Sequence, residues 1–203
     1  MADSSRADSN PEVRWFFRTF GGLKTEPTAV KFRTRKTEAF AAYLALVPGT
    51  LRSRDTLAGL FWPESPPDTA RQSVRMAISN LRSLLGEDAL IVEGQKVGFN
   101  SDRVSSDISE FESLIDQAGR DTANAKALRQ KAFDLASEPW LPDIDADWVS
   151  AQTPRVLELA AENAVQLIEL LRKDKELSQA IQIGKRALEI VGFREDLHIR
   201  LIK

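Results

Sequence analysis

The N-terminal third of the chain changes its hydrophobic period twice. From Val13 to Phe32, "VRWFFRTFGGLKTEPTAVKF" is rich in aromatic and β-branched residues and broken by Gly21-Gly22 and Pro27. That pattern predicts two or three short antiparallel strands. From Thr34 the helical period takes over: Phe40, Tyr43, Leu44 and Val47 fall on one stripe, and Pro48-Gly49 stops it. "RSRDTLAGLFWPESPP" predicts a shorter helix, with Ser53 as N-cap, Leu57, Leu60 and Phe61 as its apolar side, and Pro63 as its end. "ARQSVRMAISNLRSLLG" predicts a third, with Val74, Ala77, Ile78, Leu81 and Leu85 inward, Asp68 or Thr69 as cap and Gly86 closing it. "ALIVEGQKVGF" then turns at Glu93-Gly94-Gln95 as a hairpin. Strands, three helices and a hairpin, in that order, describe a winged helix-turn-helix.

Beyond Ser105 the pattern is helical apart from one loop. Ser106-Asp107 caps a helix carrying Ile108, Phe111, Leu114 and Ile115, and another covers about Thr122 to Ala136. "SEPWLPDIDADW" reads as an irregular loop held by Trp140 and Trp148. A long helix follows to Leu171, with a break or kink expected at Thr153-Pro154, and another spans about Glu176 to Val191. Ala180, Ala187 and Gly192 have the spacing of small-residue positions in a tetratricopeptide repeat, with Gly where proline is usual. Leu197 and Leu201 begin a further stripe from near Arg194, which the C-terminus cuts off, so the chain reads as part of a longer protein. The expected fold is mainly α with small β. Its expected divisions are a disordered tail (1–12), a winged helix (13–105) and an all-α tetratricopeptide-like domain (106–203).

Charge sharpens this division. Residues 11–106 hold 14 Lys/Arg against 10 Asp/Glu, whereas residues 107–203 hold 13 against 18. A net charge of −2 thus hides a basic half joined to an acidic one, which points to nucleic-acid contact by the first. There is no Cys and a single His, His198, so thiolate and multi-histidine metal sites are excluded and catalysis has little to stand on. Asp143, Asp145 and Asp147 resemble the opening of a calcium loop, but Trp148 stands where the turn glycine is needed and Pro154 where the bidentate Glu belongs. No cofactor motif or metal set is expected. No apolar run reaches membrane-spanning length and the polar N-terminus is not a signal peptide, so a cytoplasmic location is expected.

Several segments in order resemble one family. "LAGLFWPESPPDTARQSVRMAISNLRSLLG" is similar to the core motif of the bacterial transcriptional activators related to the antibiotic regulatory proteins of actinomycetes. "FRTFGGLKT", "KTEAFAAYLALVPG", "SSDISEFESLI", "PWLPDIDADWV" and "GFREDLHIRLI" match further stretches of that family. The resemblance implies an OmpR-type winged helix followed by a bacterial transcriptional activation domain, binding to promoter repeats and recruitment of RNA polymerase. The chain departs from the family pattern at Asn80, where Arg is frequent, and in a hairpin poor in positive charge.

The third helix has a definite back. With Val74 at 0°, Arg75 falls at about 100°, Ser79 at about 140°, Gln72 at about 160° and Met76 at about 200°. No acidic residue lies between Ala70 and Gly86. Arg pairs with guanine and Gln or Asn with adenine, while short Ser side chains let a helix approach the groove floor. Gln72, Arg75, Ser79 and Asn80 are therefore the expected base readers. Arg71 and Arg82 on its flanks, Arg33, Arg35 and Lys36 before and in the first helix, Ser53 and Arg54 at the second, and Gln95 and Lys96 at the wing tip are the expected phosphate contacts. Double-stranded DNA is the expected partner, with a homodimer on DNA and RNA polymerase as further ones. The alternative is a protein-interaction module in which the helical repeats hold a protein ligand and the basic half only packs.

Overall fold

A computed structural model of the chain describes residues 14–191. The expected tail, Gly192, the last helix near Arg194, Leu197, His198 and Leu201 lie outside the described residues.

The first sheet is built from β1 (Trp15–Arg18) and β2 (Lys24–Glu26), paired antiparallel, with β6 (Val104–Ser106) parallel to β1 on its other side. Helix α1 (Arg35–Ala45) starts at Thr34, whose hydroxyl accepts from the Thr37 amide. The short strand β3 (Arg52–Ser53) runs into α2 (Arg54–Phe61), and α3 (Pro67–Leu85) follows. A 3-10 turn at Glu87–Ala89 leads into the hairpin β4 (Leu90–Glu93) and β5 (Lys96–Phe99), with β3 pairing on the free side of β5. Gly98 is required there, because a Cβ would sit 2.3 Å from the Thr50 carbonyl oxygen. This is the winged-helix order read from the sequence, with two strands that the pattern did not announce, β3 and β6.

The second half holds α4 (Asp107–Arg120), α5 (Ala125–Leu135), α6 (Asp147–Lys173) and α7 (Leu177–Val191), each packed on its neighbour in sequence or across the intervening loop. Two expectations need correction. Helix α3 starts at Pro67, earlier than Asp68 or Thr69, because the proline ring is pre-set for the first helical position, where its missing N–H costs nothing. Helix α6 runs unbroken through Pro154. The proline deprives the Ser150 carbonyl of its helical donor, while the Thr153 hydroxyl donates to the Val149 carbonyl at 2.8 Å beside it.

One apolar core serves both halves. Phe17, Phe40, Leu57, Leu81 and Phe99 pack in the same cluster as Ile108, Phe111, Trp140, Leu141 and Trp148. A smaller core of Phe133, Leu167, Leu171, Ala180, Ile183 and Ala187 joins α5, α6 and α7, which places the two small alanines of the repeat-like spacing inside. Strand β6 straddles residue 105. Beside it the buried Asp107 accepts from the Thr19 amide at 2.8 Å on both oxygens, from the Thr19 hydroxyl at 2.6 Å, and from the Phe20 and Ile108 amides at 3.0 and 2.7 Å. Burial raises its carboxyl above the ordinary aspartate range, against the pull of these donors. The Ser106 hydroxyl donates to the Ala45 carbonyl at 2.5 Å and accepts from the Ser109 amide, so the α4 cap also ties down α1.

The tryptophan-bearing loop docks on the first sheet. Phe20 and Trp140 form an isolated bridge, Leu141 donates its amide to the Thr19 carbonyl at 2.8 Å, and the Trp140 indole donates to the Thr19 hydroxyl at 3.1 Å. Gly21, at φ +79, turns the chain against Glu138 where a side chain would collide. Trp140 and Trp148 meet edge to face, with centroids 6.1 Å apart.

Candidate nucleic-acid interface

The apolar stripe of α3 fixes the direction of everything else on it. Val74, Ala77, Ile78, Leu81 and Leu85 are buried, so the opposite side is presented outward. The helix is held at both ends: Asp55 of α2 accepts from Arg71 at 2.9 Å, and the Trp15 indole donates to the Leu85 carbonyl at 2.7 Å. That indole satisfies one of the open carbonyls of the last turn. Gln72, Arg75 and Ser79 are exposed, and Arg75 has no ion pair among the described residues.

Asn80 stands apart from these three. It is half-buried, and its side-chain oxygen is enclosed without a hydrogen-bond partner among the described residues. It lines a cavity of about 410 Å³ between α3 and the start of α1, together with Arg33, Lys36, Trp62, Gln72 and Met76. Trp62 is half-buried against the core, its ring 6.0 Å from Phe61 and 6.3 Å from Phe40, with the Lys36 ammonium 5.9 Å above it. The tryptophan therefore packs against the core and faces the groove shared with Gln72, Met76 and Asn80. Ser73 and Met76, which no expected contact includes, and Thr69, expected only as a helix cap, share this groove. Their helical angles, about 200–260° from Val74, were the available signal.

The expected phosphate contacts fall into three groups. Ser53, Arg54, Gln95 and Lys96, read from two separate segments, come together: Ser53 pairs with Lys96 across the β3–β5 ladder, and the Arg54 amide donates to the Gln95 carbonyl at 2.8 Å. Ser53 occupies the N-cap position of α2, but its hydroxyl makes no capping bond, and the first amide of the helix, that of Arg54, is taken by the wing. Arg33 and Lys36 line the α3 groove, whereas Arg35 lines a second cleft of about 440 Å³, shared with Lys36 and faced by Asp143, Asp145 and Asp147. Arg71 and Arg82 are engaged within the protein. Arg71 pairs with Asp55 at 2.9 Å and Asp68 at 3.5 Å, which raises its pKa through the Asp55 hydrogen bond, and Arg82 lies 3.2 Å from Glu87.

No protein-family model matches the chain. Over 125 residues, 59% of this chain, the sequence is 26% identical to the regulatory protein AfsR of Streptomyces griseus. Over that stretch the chain is distantly similar to a regulatory protein of the AfsR kind. This bears out the family resemblance carried by the sequence motifs. The fold is similar to that of EmbR of Mycobacterium tuberculosis, solved in complex with a low-affinity phosphopeptide, with a TM-score of 0.71 and 21% identity over 94% of this chain. The match covers 54% of the EmbR chain and 13% of AfsR, so this chain spans only part of each relative's length. The mainly helical architecture, a winged-helix-like N-terminal part followed by helices, is thereby shown for this chain.

Proposed function

We propose that this AfsR-like chain is a sequence-specific DNA-binding transcriptional regulator that reads the major groove with the outward face of α3. The observation that carries the reading is the α3 surface itself. A helix held at both ends presents Gln72, Arg75 and Ser79 to solvent with the Arg75 cation unpaired among the described residues. Its neighbours suit the phosphate strands on either side. Ser53, Arg54, Gln95 and Lys96, brought together at the start of α2 and the wing, form one such group, and Arg33 and Lys36 beside the α3 groove the other. Residues 13–105 form the DNA-binding region and residues 106–203 the activation region, which recruits RNA polymerase when copies occupy promoter repeats, as a homodimer on DNA. The cytoplasm is the place of action. No helix among the described residues is long and apolar enough to cross a membrane. None of the proposed site residues has a catalytic role.

A protein partner for the helical half is supported by one observation: Leu177 and Ile181 of α7 are exposed, at 58% and 59%, one turn apart. This belongs with regulation rather than in place of DNA binding.

The test is selection of duplexes from a random pool by the full chain, followed by titration of the selected site against salt. The reading expects an enriched motif and a log–log salt slope of about −0.9 per phosphate neutralised. Salt-independent association, or no enrichment at low salt, overturns it.

A further inference from the structure

Met76 is the exposed large hydrophobic side chain of α3, at 53%, among neighbours that are otherwise hydrogen-bonding. One turn before it stands Gln72 and one turn after it Asn80, and all three line the groove beside Trp62, Arg33 and Lys36. The row Gln72–Met76–Asn80 spans eight residues, about 12 Å of helix, which matches roughly three to four base-pair steps. The exposed Gln72 carboxamide has the donor–acceptor pair that adenine's major-groove edge requires, whereas the Asn80 oxygen is enclosed. The pairing partner of adenine carries the C5-methyl group, the apolar feature of the major-groove floor. A thioether on an unbranched chain is polarizable and adapts to such a surface. An apolar side chain held out in water among polar neighbours gains by covering a methyl group and gains little from phosphate or from a base's polar edge.

We propose that Met76 is a specificity-determining residue that contacts the C5-methyl of a thymine, in an A·T-containing part of the site whose adenine edge faces Gln72. This rests on the DNA-binding reading above and adds to it the base class that this row selects. Arg75 lies about 100° from Val74 on the same helix, on the other side of Gln72, and reads a separate position.

The experiment uses the full chain and the duplex obtained by random selection. Each thymine in the site is replaced in turn by deoxyuridine, which removes only the methyl group, and binding is measured for wild type, Met76→Ser and Met76→Leu. Met76 is exposed, so both variants keep the core intact. The expected result is a loss of roughly three- to ten-fold for wild type at one thymine, the scale of one buried methyl group. Met76→Ser binds the thymine site more weakly by a similar factor and is indifferent to deoxyuridine at that position, while Met76→Leu keeps most of the methyl dependence. If deoxyuridine costs wild type and Met76→Ser the same at every position, the methyl contact is refuted while DNA reading by the chain stands. A selected site without A·T pairs does the same. If no duplex is enriched, the DNA-binding reading falls and this inference falls with it.

Discussion

Replacing Asp107 with Ala removes the carboxylate that joins the N-terminal sheet to α4. It is buried at 3% exposure and accepts from Thr19, Phe20 and Ile108 through contacts of 2.6–3.0 Å. Alanine leaves the Thr19 and Phe20 amides and the Thr19 hydroxyl without this acceptor, and each unsatisfied buried donor costs about 1–3 kcal/mol. Part of that loss is returned, because burial already disfavours the ionised carboxyl, as its raised pKa records. The expected net cost is about 3 kcal/mol, on the lower side of the sum of three such donors. Asp107→Asn keeps one acceptor oxygen but turns an amide NH₂ toward other donors, so it falls between wild type and Asp107→Ala. The assay is urea unfolding of the full chain followed by tryptophan fluorescence. Trp140 reports on the site directly, since its indole donates to the Thr19 hydroxyl. An unchanged m with a lower midpoint is expected. A Asp107→Ala variant within 1 kcal/mol of wild type, on the scale of an ordinary surface substitution, would refute the claim that this carboxylate locks the two halves together.

Three further outcomes follow from the site. Arg71→Ala should weaken DNA binding less than Arg75→Ala, because Asp55 and Asp68 already engage Arg71; equal losses in a gel-shift titration would show that those ion pairs yield to phosphate. Arg33→Ala should lower affinity and reduce the salt slope by about one, while Arg35→Ala, facing Asp143, Asp145 and Asp147, should change the slope little; the reverse order would misplace the phosphate strand. Leu81→Ala, fully buried under α3, should cost about 2–5 kcal/mol in thermal or urea unfolding, and a cost under 1 kcal/mol would mean that the α3 stripe is not the core of this half.

What the sequence made legible follows from the range of each interaction. The stripe of α3 is a local property of the 3.6-residue period, so its buried residues, and therefore the outward direction of Gln72, Arg75 and Ser79, could be read directly. The same holds for Ser106, whose hydroxyl caps α4 three residues on. Asp107 sat in view as part of that cap, yet its main partner is Thr19, 88 residues away, and no periodicity carries such a pairing. Strands β3 and β6 have two and three residues and exist because β5 and β1 recruit them. Helical angles place Arg71 on a flank, as an expected phosphate contact, whereas the Asp55 that engages it comes from α2, whose packing angle the sequence does not express. The groove holding Asn80 and Met76 was missed for the same reason: its other wall is the start of α1 and Trp62.

The most direct test of α3 as a reading helix compares wild type and Arg75→Ala on every single-base-pair variant of the selected site. The account predicts that wild type loses about 1–3 kcal/mol at one guanine-containing pair and that Arg75→Ala no longer discriminates there, while its preferences elsewhere persist. A loss for Arg75→Ala that is equal on all variants, with discrimination intact at every position, would make Arg75 a backbone contact and contradict base reading by this face of α3.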